Sequence, residues 1–167
     1  MLLRRLDCQT PPTKLPRKNG SLQTCELRSA QLERAASRQG RGGEGALGVV
    51  FILTGDSDRA IEALERACNG QPSDVQCWND LSVAYLARAE RTDDQDDLLR
   101  ALAAADRSLS ADPRLAEALF NRAIALERLS RTQEAIEAWT SAQQNDPQSP
   151  WADEARSHLQ GLSAVVR

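Results

Sequence analysis

The residue types that most often supply nucleophiles, bases and metal ligands are scarce in this sequence. His158 is the one histidine, and it stands beside Ser157 near the C-terminal end, so we interpret it as a surface helix residue. A structural zinc site normally uses paired ligands such as Cys-x-x-Cys. No such pair occurs among the cysteines, which are Cys8, Cys25, Cys68 and Cys77. We therefore expect no catalytic residue, no metal site and no cofactor.

Two of the cysteines leave an alternative open. Cys68 and Cys77 could approach each other across a turn, which would allow them to pair. The interpretation we favour is that both act as small apolar residues in a reducing compartment.

Two short motifs resemble ion sites but have simpler interpretations. Residues 93–97 are rich in aspartate, yet they lack the glycine and the final glutamate of a calcium loop. They precede a predicted helix, where acidic side chains stabilise the N-terminal dipole. Residues 40–45 are rich in glycine but lack the Gly-Lys-Ser/Thr of a phosphate-binding loop, so we predict a hinge.

The composition is that of an ordinary globular chain, with 41% apolar and 27% charged residues. No stretch approaches the ~18 apolar residues of a membrane span. The opening residues 1–6 are interrupted by Arg4 and Arg5 before a signal-peptide apolar region can form. We therefore expect a cytoplasmic protein that does not bind membranes.

Charge is divided unevenly along the chain. Residues 1–41 hold nine basic and three acidic side chains, a net charge of +6. Because the whole chain carries −3, residues 42–167 carry −9. Prolines and charges in residues 1–20 predict a disordered basic arm. Nucleic-acid binding is not expected, since the basic region contains no aromatic residue for base stacking.

An internal repeat organises the remainder of the chain. In residues 116–149 one helical face carries Leu119, Ala123 and Leu126, and a second face follows a polar break. The second face carries Ala135, Trp139 and Ala142, and Pro147 ends the unit. Ala60 and Pro72 precede Ala135 and Pro147 by 75 residues each, which indicates an earlier unit in residues 41–74. The interval leaves room for a middle unit, residues 75–115, with an insertion that we place in its turn at residues 89–97.

The residue pattern of the middle unit resembles that of a known family. Trp78-x-x-Leu81-Ser82-x-x-Tyr85, followed by alanines and a closing proline, is similar to the tetratricopeptide repeat (TPR). The resemblance implies an all-α, right-handed helical solenoid of three helix-turn-helix units. Residues 21–40 would add an N-terminal helix and the hinge, and residues 150–167 a capping helix and tail. The capping helix is predicted from residue 151 to about residue 159, with Ser149 as its N-cap.

The same resemblance implies a function. In tetratricopeptide proteins the first helix of each unit lines a concave groove that binds a peptide or helix of another protein, without catalysis. Carried onto this chain, the groove residues are Val49, Ile52, Gln76, Asn79, Asp80, Val83, Glu117, Phe120, Asn121, Ile124 and Arg128.

Charge in the groove narrows the choice of partner. Some family members hold a chaperone C-terminal carboxylate with basic side chains, but the lysines of this chain, Lys14 and Lys18, both lie in the arm. We therefore expect a protein or peptide partner with basic or apolar side chains. Self-association through the solenoid ends stays open.

An alternative concerns larger proteins. The sequence of residues 119–123 and 149–152 is similar to that of repeat arrays that precede CHAT peptidase-like domains in large bacterial proteins. Under that alternative the chain is a non-catalytic architectural or regulatory fragment.

Overall fold

The structure, a computed structural model, describes residues 43–145, 147–148 and 150–165. Within these residues the chain forms seven α-helices and the predicted all-α fold is confirmed. The helices are α1 Gly43–Thr54, α2 Ser57–Gly70, α3 Val75–Thr92, α4 Gln95–Ala111, α5 Ala116–Arg128, α6 Thr132–Asn145 and α7 Pro150–Val165. The predicted arm (residues 1–20) and N-terminal helix (residues 21–40) lie outside the described residues.

The helices form three consecutive helix-turn-helix units followed by α7. Each helix packs against the next along the chain, and the first helices of neighbouring units also touch, α1 with α3 and α3 with α5. Contacts between first helices place α1, α3 and α5 together in an inner layer, with α2, α4 and α6 outside it. This arrangement exposes one face of the inner layer as the groove.

Close packing between the two helices of a unit depends on small side chains. Ala60 and Ala135, the equivalent positions of units one and three, are both 0% exposed. At Gly48 a Cβ atom would lie 2.4 Å from Cγ of Leu64, so only glycine fits this crossing of α1 and α2. Gly55 then takes a positive φ of 81° in the turn between them, a conformation that glycine adopts without strain.

Helix α3 is capped at its N-terminus by an aspartate side chain. The capping side chain is Asp74, whose Oδ1 accepts hydrogen bonds from the backbone N–H groups of Gln76 and Cys77, both at 3.1 Å. Asp74 immediately precedes the first helical residue, Val75, so its short carboxylate reaches these free donors.

The predicted insertion in the middle turn, residues 89–97, is wrong. Helix α3 continues to Thr92 and α4 begins at Gln95, so Asp93 and Asp94 alone separate the helices. The extra residues lengthen the helices instead. Helices α3 and α4 contain 18 and 17 residues, whereas α1 and α2 contain 12 and 14.

Burial explains why these residues are helical. Ala89 and Leu98 are 0% and 5% exposed, so both extensions bury apolar side chains. Asp97, which is 2% exposed, accepts two hydrogen bonds of 2.7 Å from the guanidinium of Arg88. This paired ion contact fixes the extended ends of α3 and α4 against each other.

The structure joins Cys68 and Cys77 in a disulfide, contrary to the favoured prediction of two unpaired cysteines. Their Cα atoms are 5.6 Å apart, within the range that a disulfide spans. The bond connects the end of α2 to the start of α3 across the short turn between units one and two. Both side chains are buried in the core.

The capping helix follows the third unit as predicted but is longer. It runs over Pro150–Val165 and packs against α6, burying Ala152 and Ala155 completely. The predicted N-cap, Ser149, lies outside the described residues.

Candidate functional site: the concave groove

A groove of about 330 Å³ lies on the inner layer between α1, α3 and α5, and the start of α7 closes one end. Its wall is mainly apolar, with polar side chains on α3 and α5. The lining residues are Val49, Ile52, Leu53, Asn79, Asp80, Val83, Glu117, Phe120, Asn121 and Trp151.

The predicted groove residues divide into two groups. Eight of the eleven line the groove: Val49, Ile52, Asn79, Asp80, Val83, Glu117, Phe120 and Asn121. The other three, Gln76, Ile124 and Arg128, lie outside its lining. Whether any of the eleven contacts a partner stays a prediction.

Each of the three outlying residues has a contact within the chain. Gln76 Nε2 donates to Asp80 Oδ1 at 3.3 Å, so it supports a lining residue. Arg128 donates to the backbone carbonyl of Leu86 at 3.3 Å. Ile124 is half-buried and packs against the core.

The polar floor of the groove is an asparagine pair. Asn121 on α5 donates from Nδ2 to Oδ1 of Asn79 on α3 at 2.9 Å. Their side chains are 7% and 4% exposed, so most of each amide is covered. The pair links units two and three, which leaves little of either amide available to a ligand.

Asp80 is a carboxylate of the groove whose pKa is raised. Burial of the side chain raises its pKa from 3.8 to about 6, and the nearby negative charge of Asp74 also acts to raise it. Hydrogen bonds from Gln76 and Asn79 act in the opposite direction. Among the described residues, no Lys or Arg lines the groove and Asp80 forms no ion pair.

The apolar wall combines a rigid aromatic end with an exposed aliphatic side. Phe120 meets Trp151 edge to face, with ring centroids 4.8 Å apart. It meets Trp139 in the same way, with ring centroids 4.9 Å apart. Leu53 of α1, which also lines the groove, is 41% exposed. An apolar ligand group would cover both surfaces.

Trp151 was absent from the predicted groove. It belongs to the capping helix, so its location depends on how α7 packs and not on the repeat pattern. His158 holds this helix in place, because its ring stacks on Trp139 at 4.3 Å and its Nδ1 lies 2.8 Å from Glu127 Oε2. The predicted surface histidine is therefore half-buried at a helix contact. A large aromatic residue directly after Ser-Pro at a helix start was the available signal.

No group of histidine, cysteine, aspartate or glutamate side chains among the described residues is arranged to hold a metal ion. None of the described helices combines the length and the apolar character that crossing a membrane requires.

Comparison with known proteins identifies the repeat type. Residues 86–150 match the family model for the tetratricopeptide repeat. No curated protein matches the chain by sequence.

Solved structures with the same fold are distant in sequence. A thermophilic TPR protein of Thermus thermophilus superimposes with a TM-score of 0.70 at 21% identity, covering 87% of this chain and 76% of that one. The TPR2B domain of yeast Sti1, solved with an Hsp70 peptide, gives 0.64 at 20% identity, covering 74% and 97%. The second TPR domain of human RPAP3, solved with the HSP70 peptide SGPTIEEVD, gives 0.61 at 20%, covering 70% and 92%.

These matches establish a fold. The described helices are tetratricopeptide-type units, and at these identities the likeness supports no further conclusion about ligands. The similarity to arrays that precede CHAT domains stays a prediction.

Proposed function

We propose that the chain is a non-catalytic interaction module whose groove binds a peptide segment with a basic residue beside apolar ones. The observation that carries this proposal is Asp80, a partly buried carboxylate without a cationic partner among the described residues. Burial without a counter-charge is unfavourable. A Lys or Arg supplied by a partner would remove that penalty through a charge-assisted hydrogen bond.

The surroundings of Asp80 support an apolar neighbour for that cation. Val83 and Ile52 also line the groove, as do Trp151 of α7 and Leu53 of α1. A few buried apolar anchors commonly supply most of the affinity of such interfaces. Glu117, which also lines the groove, adds a second negative charge.

The charge of the groove argues against the ligand type seen in some structural relatives. The HSP70 peptide bound by the human RPAP3 domain ends in Glu-Glu-Val-Asp, which is acidic. Asp80 and Glu117 would repel such a peptide, and no lining residue offers a basic side chain to hold its carboxylates. We therefore propose a ligand of opposite charge.

Selection from a random peptide library displayed on phage tests the proposal, using the full chain as bait. Three baits are compared: the parent, Asp80→Arg, and Glu62→Arg as a control with the same charge change on the exposed surface of α2. We expect peptides with Lys or Arg next to aliphatic residues to bind the parent and the control alike. Asp80→Arg should weaken them about 10- to 100-fold. Enrichment of acidic peptides, or equal binding to all three baits, would contradict the proposal.

A further inference from the structure

The chain itself contains a segment with the chemistry that the groove requires. Residues 11–18 read Pro-Pro-Thr-Lys-Leu-Pro-Arg-Lys, which places one aliphatic side chain, Leu15, among Lys14, Arg17 and Lys18. The groove opposes this with Asp80, Glu117 and an apolar wall. We propose that residues 11–18 occupy the groove of the same molecule and compete with its partner, an inference that rests on the proposed function.

Charge favours this occupant over an acidic or neutral one. Residues 1–41 carry +6 and residues 42–167 carry −9, so the two parts of the chain attract each other. Within the part of the chain that the structure describes, Asp80 has no ion pair and the groove lining contains no Lys or Arg. Lys14 or Arg17 would supply the missing cation, and Leu15 would cover part of the apolar wall.

The connection between residues 11–18 and α1 is long enough for this segment to reach the groove. Residues 19–42 connect the segment to α1, and with residues 21–40 in the predicted helix these 24 residues still span ~40 Å. Val49 follows Gly43, the first residue of α1, by six positions, a rise of about 9 Å along the helix. A tether of this length gives an effective concentration on the order of millimolar, so even a weak contact would be populated.

The prolines suit an extended ligand in an apolar groove. Pro11, Pro12 and Pro16 each fix one backbone dihedral, which lowers the conformational entropy lost on binding. Proline also has no backbone N–H, so fewer donors would be left without a partner against the apolar wall.

Zero-length cross-linking offers a direct test, because Lys14 and Lys18 are the only lysines of the chain. A carbodiimide joins an amine to a carboxylate in direct contact, and digestion with mass spectrometry identifies the pair. We expect Lys14 or Lys18 of the full chain to be joined to Asp80 or Glu117 within monomers. Raising the salt concentration from ~50 mM to ~500 mM should reduce the yield. Links scattered over other carboxylates at similar yield would overturn the proposal.

Competition provides the second measurement. The full chain carrying Lys14→Gln, Arg17→Gln and Lys18→Gln should bind a library-selected peptide about 10-fold more tightly than the parent. A control with equal charge loss, Arg28→Gln, Arg34→Gln and Arg38→Gln, should change the affinity less than about 2-fold. Equal effects of both triple variants would overturn the proposal in favour of general charge attraction.

The outcomes separate this inference from the proposed function. Cross-links that appear only in covalent dimers would assign the groove to the segment of a second copy and overturn the intramolecular contact. Peptide binding that depends on Asp80, without cross-links to the groove or competition, would leave the proposed function intact and reject the segment. Groove cross-links without any library peptide that depends on Asp80 would reject the external partner instead.

Discussion

The side-chain amide of Asn121 donates to the side-chain carbonyl of Asn79 across the floor of the groove, with Nδ2 and Oδ1 2.9 Å apart. The two residues lie on the inner helices of successive units, 42 positions apart in the sequence. Because both amides are buried, their bond holds α3 and α5 at a fixed spacing. The width of the groove therefore depends on the hydrogen bond between these two lining residues.

Removing one member of this pair should destabilise the fold. In Asn121→Ala the carbonyl of Asn79 loses its donor while staying buried, a loss of about 1–3 kcal/mol in the free energy of unfolding. Urea denaturation followed by circular dichroism measures the change. Asn69→Ala, on the exposed surface of α2, is the matched control and should stay within about 0.5 kcal/mol of the parent. Equal stability of the two variants would show that the pair does not hold the units together.

Two glycines should respond in opposite ways to the same substitution. At Gly48 an added Cβ would lie 2.4 Å from Leu64, so Gly48→Ala should lower the unfolding free energy by about 1–2 kcal/mol. At Gly161, also within a helix, no atom lies within 4 Å of the added Cβ. Gly161→Ala should therefore gain up to about 1 kcal/mol from its higher helix propensity. Thermal melts of both variants test the packing of α1 on α2, and a gain at Gly48 would contradict it.

The ion pair between Arg88 and Asp97 should contribute to the stability of the long middle unit. Asp97→Ala leaves a partly buried guanidinium that keeps its contact with Asp58, 3.2 Å away, and its place over the Tyr85 ring, 5.7 Å from the ring centroid. We expect a loss of about 2–3 kcal/mol, below the range for fully buried pairs, because Arg88 is 24% exposed. Asp96→Ala on the exposed side should cost less than about 1 kcal/mol. Urea denaturation midpoints measure the stability of both variants. Similar losses for Asp97→Ala and Asp96→Ala would mean that both carboxylates act through the helix dipole of α4 and not through the ion pair.

Asp80 should make stability depend on pH. Its pKa is about 6 in the folded chain and near the ordinary 3.8 when unfolded, so the folded state binds the proton more tightly. The ionised carboxylate therefore lowers stability above pH 6, and this penalty disappears as the pH falls from 6 towards 4. The parent for this test is the chain carrying Lys14→Gln, Arg17→Gln and Lys18→Gln, in which residues 11–18 offer no cation to Asp80. Asp80→Asn should be more stable than this parent at pH 8 by about 1–2 kcal/mol. The gain is less than a shift of two pKa units would give, because the side chain is only partly buried.

Urea denaturation of both proteins at about pH 8 and about pH 4 measures the effect. The difference between parent and Asp80→Asn should vanish at the lower pH. Glu62→Gln, an exposed control, should show the same difference from the parent at both values. A gain for Asp80→Asn that is constant with pH would mean that ionisation of Asp80 is not its cause.

The repeat pattern predicted those parts of the fold that depend on local spacing. Ala60 and Ala135, predicted as equivalent positions from their 75-residue spacing, are buried at equivalent helix crossings. Periodic small residues report such crossings because a larger side chain would separate the helices. The length of the middle turn could not be read in this way. Residues 93–97 favour a turn by composition, but burial of Asp97 against Arg88 keeps most of this stretch helical.

Contacts between distant positions were harder to predict. Asn79 and Asn121 carry the residue types of a ligand-binding floor, and only their distance shows that they bind each other. Trp151 reaches the groove through the packing of α7, which no repeat period specifies. Cys68 and Cys77 flank a turn whose backbone path decides whether their sulfurs meet.

The affinity of a library-selected peptide for three forms of the full chain tests the central claim most directly. Fluorescence anisotropy of the labelled peptide would give Kd for the parent, Asp80→Arg and Glu62→Arg at the same salt concentration. The groove assignment predicts that Asp80→Arg raises Kd about 10- to 100-fold, while Glu62→Arg stays within about 2-fold of the parent. A Kd that is unchanged in Asp80→Arg, or raised equally in both variants, would contradict binding in the groove.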